Sequence, residues 1–190
     1  MAENMEPMQE NPKEKLSLRL EIYDWMQCIV AALVACVLIF TFVGRIIGVD
    51  GGSMLPTLED GDKIIITNLY TKLEYGDIVV LTKREFSREP IVKRVIATEG
   101  QTVDINFQAG EVWVDGKLLD EPYINAATTR QLDVSFPVTI PEGCIFVMGD
   151  NRNKSTDSRA STIGFVDTRC VLGKAVNIIW PASRFWDMKK

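Results

Sequence analysis

Polar residues dominate the first 24 positions, and the pattern then changes abruptly. From Trp25 through Gly44 the chain reads WMQCIVAALVACVLIFTFVG, twenty residues without a charge. At about 1.5 Å of rise per residue, a helix of that length covers the roughly 30 Å hydrocarbon layer of a bilayer. The chain offers no second apolar helix to enclose it in a soluble core. A cleaved leader would carry a shorter apolar run and a small-x-small site before Arg45. The pattern therefore predicts a retained transmembrane helix over 25–44, preceded by a polar tail over 1–24. Three Lys/Arg precede the span, while Arg45 and Lys63 follow it closely, a bias that places the N-terminus in the cytoplasm and residues 45–190 outside.

Beyond Ile47 the texture becomes short runs of β-branched residues broken by turn signals: KIIIT at 63–67, DIVVLT at 77–82, PIVKRVIA at 90–97 and GCIFVMG at 143–149. In EVWVDGKLL at 111–119, Asp115-Gly116 supplies the positive φ angles of a two-residue hairpin turn between alternating strands. The expected fold is mainly β: an antiparallel domain over 45–190 behind one N-terminal helix, without internal repeats. Thr128–Pro137, poor in large apolar groups, is expected to be a surface loop. The closing IIWPASRFW, with Trp180, Phe185 and Trp186, suits either a membrane interface or core packing.

A chain of 190 residues holds one such domain and its appendage. The net charge is −5, of which the tail contributes −3. No basic face remains for nucleic acid or for anionic lipid, so the helix must be the anchor. Cys28 and Cys36 lie inside the apolar run and read as small buried hydrophobes. Cys144 and Cys170 fit a disulfide or two free thiols equally well. There is no CxxC pair and no histidine. This excludes Ser-His-Asp and Cys-His catalysis, HExxH metallopeptidases and the usual histidine-ligated metal sites. Acid–base work near neutral pH must fall to a carboxylate, a tyrosine or a lysine of shifted pKa.

Three segments could carry such chemistry. In Gly51-Gly52-Ser53-Met54-Leu55-Pro56-Thr57-Leu58 the glycines allow a sharp turn with exposed N–H groups, and Pro56 stiffens the exit. That suits a nucleophilic serine, and alone it suits an ordinary Gly-Ser turn as well. In Glu89–Ala97, Lys93 shares a strand face with Ile91 and Val95 and should be desolvated unless it snorkels from an edge. Its pKa must fall from about 10.4 to about 7 for half to be neutral at pH 7, which corresponds to roughly 4.6 kcal/mol and lies within what burial can do. The third segment, Gly149–Arg159, is dense in turn-forming side chains, and its Asp157 and Arg159 could pair. Alone it reads as an inert polar loop.

In this order and behind an N-terminal span, the three segments resemble the type I signal peptidase family from Trp25 to about Pro181. The resemblance implies a Ser/Lys peptidase fold in which Ser53 of an SMxPT motif is the nucleophile and Lys93 of a KR pair the general base, with Arg94 its partner arginine. The family's GDN…S-x-D-S-R segment falls on Gly149, Asp150, Asn151, Ser155, Asp157, Ser158 and Arg159. It implies that Ser155 hydrogen-bonds and orients the lysine while Asp150, Asp157 and Arg159 brace the site. Ile47, Val49, Met54, Leu58 and Val92 would line pockets for small side chains at the first and third positions before the cut. The expected partners are preprotein signal peptides and the lipid bilayer, with no nucleic acid, and the expected enzyme is a monomer without metal or organic cofactor. Some members carry a serine two residues before the nucleophile to help hold the oxyanion; here Gly51 occupies that place, leaving backbone N–H groups, that of Ser53 included. Two other readings share the pattern: a self-cleaving peptidase like the LexA-type repressors, whose DNA-binding module is replaced here by a span, and a tethered non-catalytic binding module. Cleavage of a preprotein by the purified protein separates all three.

Overall fold

The computed structural model describes residues 12–42, 44–69, 72–83 and 86–185, and within the N-terminal helix the side chains of 21–37. The stretch after Pro12 contains neither proline nor glycine until Gly44, and Pro12 stands where its missing N–H is harmless. Helix α1 accordingly runs Pro12–Phe42. Its large side chains from Ile22 to Val37 are exposed on all sides. Cys28 and Cys36 are exposed with them, which corrects their expected burial. Among the described residues no helix is long and apolar enough to cross a membrane. The side chains of 38–43, part of the expected span, lie outside the described residues. The chain divides after Thr41, with α1 in one unit and every strand in the other.

Eleven strands follow: β1 (Arg45–Gly48), β2 (Lys63–Thr67), β3 (Ile78–Leu81), β4 (Ile91–Thr98), β5 (Thr102–Asn106), β6 (Glu111–Val114), β7 (Lys117–Leu118), β8 (Val138–Thr139), β9 (Cys144–Met148), β10 (Val166–Asp167) and β11 (Val171–Trp180). Each run singled out by pattern is a strand. The hairpin β6–β7 turns through Asp115 and Gly116 at φ 50° and 73°, left-handed values that a glycine adopts without strain. Seven strands form one antiparallel sheet in the order β1-β2-β11-β3-β4-β9-β10, and four form a second, β7-β6-β5-β8. β3 is buried along its whole length, as a central strand of continuous apolar residues should be, whereas β2 alternates.

Three apolar clusters hold this unit. One gathers Val49, Met54, Leu58, Ile64, Val80, Val92 and Ile178. A second joins Val103, Val112 and Ile140 to Phe146 and Met148 of β9, and the third lies around Val79, Val95 and Val147. Residues 128–137 form no strand, but they are not simply a surface loop. Thr128 is fully buried, and Phe136 packs edge-on against Phe146 at 5.9 Å between ring centres. Cys144 and Cys170 are free thiols. Trp180 and Phe185 are 58% and 51% exposed, which removes core packing as their explanation; Trp186 lies outside the described residues.

Candidate active site

Ser53 sits in a compact turn leaving β1. The chain between Val49 and Asp62 closes on itself, with Val49 N donating to Asp62 O at 2.8 Å and Gly61 N to Val49 O at 2.9 Å. Gly51 adopts φ 78°, a left-handed angle that favours glycine, and its N–H donates to Asp60 Oδ1 at 2.8 Å. Opposite this loop, β4 carries Lys93 in register with Val79 of β3. The lysine is 3% exposed, and its Nζ donates to Ser53 Oγ at 2.8 Å. Residues forty positions apart in sequence thus share one hydrogen bond.

Burial pulls the Lys93 amine down to about 8, and the carboxylates of Asp157 and Asp150 hold it from falling further. About a tenth is then neutral at pH 7. This is less than the half anticipated from burial alone, because the same loop that buries the lysine brings acids near it. Among the described residues each of the three fully buried arginines has its own carboxylate: Arg94 with Asp150, Arg152 with Glu121, Arg159 with Asp157. Among the described residues no carboxylate lies within ion-pair distance of Lys93. A neutral amine bonded to a serine hydroxyl can take its proton, which is how a serine becomes a nucleophile without histidine.

The surrounding bonds build a rigid frame. Arg94 grips Asp150 with Nε and Nη2 at 2.8 and 2.7 Å and donates to Gly76 O at 2.8 Å. Its guanidinium stacks 3.9 Å from the centre of the Tyr123 ring. Arg159 grips Asp157 with Nε and Nη2, both at 2.8 Å, and Asp157 also accepts from Gly149 N at 3.0 Å. A side chain on Gly149 would collide with Ser155 Oγ and Ser53 O, so the close approach of the two loops requires glycine there.

Sequence reasoning placed Ser53, Lys93, Arg94, Asp150, Asp157 and Arg159, and the structure brings all six together. Ser155 is also here and fully buried, but its hydroxyl has no hydrogen-bond partner. The expected bond to Lys93 is not formed; that ammonium is directed at Ser53 instead, and Ser155 packs over Gly149. Val49, Met54, Leu58 and Val92 fall in one apolar cluster with Ile47 packed against it. Met54 and Leu58, at 1% and 0% exposure, lie inside it and present no surface to a ligand.

Several groups carried no role from the sequence. Asn151, present only as a motif letter, donates from N to Ser53 O at 3.0 Å and from Nδ2 to Gly52 O at 2.9 Å, so it clamps both carbonyls of the nucleophile turn. Thr57 Oγ1 donates to Asp150 Oδ2 at 2.5 Å. Arg152 reaches Gly149 O at 3.2 Å and is held by Glu121. Tyr123 donates to that same Glu121 at 2.9 Å, and burial, then the charge of Glu121, pushes its pKa up, so it remains a donor. Glu121 and Tyr123 lie in a connector without sequence pattern, where nothing but a fold reveals them. Among the described residues no group of three metal-ligating side chains occurs.

Residues 22–180 match the family described as signal peptidase, peptidase S26. The chain is 32% identical to a signal peptidase I of Bacillus amyloliquefaciens, over 100% of this chain and 99% of that protein. It is 33% identical to signal peptidase I S of Bacillus subtilis strain 168, over 93% and 97%, and 36% identical to a probable signal peptidase I-1 of Synechocystis, over 83% and 82%. A crystal structure of a signal peptidase I from Enterococcus faecalis V583 is 29% identical at a TM-score of 0.48, covering 56% of this chain and 98% of that one.

Proposed function

Since the chain belongs to the signal peptidase family, peptidase S26, we propose that it removes N-terminal signal peptides from exported preproteins, with Ser53 as nucleophile and Lys93 as general base. The observation that carries this reading is the 2.8 Å contact between Lys93 Nζ and Ser53 Oγ at a lysine whose pKa is drawn down to about 8. Ser53 Oγ adds to the scissile carbonyl while neutral Lys93 takes the hydroxyl proton. The resulting ammonium returns that proton to the leaving amine as the C–N bond breaks, leaving an acyl-enzyme. Water, deprotonated by the same lysine, then releases the signal peptide and frees Ser53. With the Gly51 N–H engaged by Asp60, the oxyanion would rely on other backbone donors, the Ser53 N–H among them, an interaction typically worth about 2.7–4 kcal/mol in the transition state.

Ile47, Val49 and Val92, packed in one apolar cluster with Met54 and Leu58, supply the wall against which small side chains at the first and third positions before the cut would lie. Residues 25–44 anchor the protein in the cytoplasmic membrane with the N-terminus inside and the catalytic unit outside. The apolar side chains exposed around α1, among them Trp25, Ile29, Leu33 and Val37, support a lipid-facing helix, and exposed Trp180 and Phe185 suit the interfacial zone. Holding enzyme and substrate in one bilayer limits the orientations to be searched, which contributes to rate.

The test is cleavage of a purified preprotein by the full chain in detergent. Ser53→Ala and Lys93→Ala should each abolish processing while leaving the fold intact by circular dichroism; substantial turnover by either variant removes the assignment.

A further inference from the structure

The loop that bears Ser53 is gripped on its far side by a residue outside every catalytic motif. After β11 the chain makes a single 3-10 turn at Ala182–Arg184, and Arg184 reaches back to the loop. Its Nη2 donates to Thr57 O at 2.9 Å. Its Nη1 donates to Asp62 Oδ2 at 2.7 Å and lies 3.4 Å from Glu59 Oε1. The side chain is only 13% exposed and Asp62 only 2%, so the pair is well shielded from water and differs from an ordinary surface bridge. Asp62 in turn accepts from Glu59 N at 2.8 Å, and its own carbonyl closes the loop neck on Val49. The partners of Arg184 are separated from it by 122 and 127 positions.

We infer that Arg184 is a positioning residue for the reaction, holding the descending limb of the nucleophile loop so that Ser53 Oγ stays in line with Lys93. The ascending limb is fixed by Asn151 through Gly52 and Ser53. The descending limb has Arg184 on the Thr57 carbonyl, while the Thr57 hydroxyl is held by Asp150. Thr57 is therefore pinned from two directions, four residues beyond the nucleophile. Arginine is required because one planar fork must serve a carbonyl and a carboxylate together; a lysine reaches only one. A loop released on one side moves the hydroxyl relative to a base that is fixed in a strand, and a misplacement of about 1 Å can cost about 100-fold in rate.

The inference rests on Ser53 being the nucleophile, and the experiment separates the two. Full-length wild type, Ser53→Ala, Arg184→Ala and Arg184→Lys are compared in detergent for preprotein cleavage and for amide hydrogen exchange. Arg184→Ala should lower kcat about 10–100-fold with KM little changed, and exchange should quicken over residues 54–62 while β4 and β9 keep wild-type protection. Arg184→Lys, retaining the Asp62 pair but not the second arm, should fall between. Wild-type kcat in Arg184→Ala, or a loss accompanied by faster exchange throughout β4 and β9, overturns the inference. An active Ser53→Ala would instead sink the nucleophile assignment, and the local exchange of 54–62 would still decide whether Arg184 holds the loop.

Discussion

Three segments of this chain carry the short pattern Asp-x-Arg; in one, Asp150 takes Arg94 and Arg152 takes Glu121, while the other two build nearly the same internal ion pair. Arg159 meets Asp157 with Nε and Nη2 both at 2.8 Å; Arg169 meets Asp167 at 2.9 and 2.6 Å. In each pair the arginine's own N–H also donates to the aspartate. The first pair is 0% exposed on both sides, while the second is 88% and 36% exposed. Spacing therefore allows this local pair without compelling it, and where the pair forms its consequence is dictated by surroundings. Water around Asp167 already offers what Arg169 offers, so the pair is nearly redundant. Around Asp157 no water competes, and the carboxylate must satisfy Arg159 and the Gly149 N–H while bearing on the charge of Lys93.

The sharpest way to break this comparison is to remove each carboxylate. Asp157→Ala strands a buried guanidinium and a buried N–H and should lower stability by about 3–5 kcal/mol, read as the midpoint of chemical denaturation, with processing lost. A smaller effect of opposite sign is expected at the lysine that the buried pair flanks. Lys93 has a folded pKa lowered from 10.5 to about 8, so between those values the unfolded chain binds more protons than the folded one. Its destabilising contribution is full below pH 8 and fades as pH rises through 8 towards 10.5. Lys93→Met should therefore be inactive yet more stable than wild type by on the order of 2–3 kcal/mol at pH 7, with the gain vanishing above about pH 10.5; equal stabilities at pH 7 would contradict the burial argument.

Smallest is the pair of neutralising changes. The acid limb of kcat/KM in wild type should have its midpoint near pH 8, where Lys93 loses its proton. Asp157→Asn removes an anion that favours the ammonium and should move that limb to lower pH. Asp167→Asn, made at the exposed pair, should move neither the limb nor the melting temperature. A shift from Asp167→Asn as large as that from Asp157→Asn would show that exposure does not separate the two.

The same distinction explains what could be read in advance. KIIIT, DIVVLT, PIVKRVIA and GCIFVMG are strands because β-branched side chains suit a pleated surface and the turn residues bound each run too short for a stable helix, and Asp115-Gly116 turns because a positive φ favours glycine. Lys93 stood out because the absence of histidine left few other bases and because a lysine within a core-strand pattern is costly unless used, whereas Ser53, alone no more than a Gly-Ser turn, took its role from the resemblance of the three segments to a known family. Asn151 and Arg152 were visible only as neighbours of Asp150. Thr57 was visible as the last letter of the SMxPT motif but without a role, and Glu121, Tyr123 and Arg184 were not visible, since nothing periodic or compositional marks them. Ser155 was assigned a bond that its position over Gly149 does not give it, and the burial expected for Cys28 and Cys36 failed because the apolar side chains of their helix are exposed on every face.

By itself, then, the sequence determined the inventory: which elements form, which chemistries are excluded and which serine and lysine are available. Only the tertiary structure decided which charges meet. Lys93 reaches Ser53 across forty positions, Arg94 reaches Asp150 across 56, and Arg184 reaches Thr57 across 127. Secondary structure follows from interactions among near neighbours, whereas these pairings follow from the order in which strands are laid side by side, with β4 between β3 and β9 and β11 between β2 and β3. The weight of each charge depends on how much water that arrangement leaves around it.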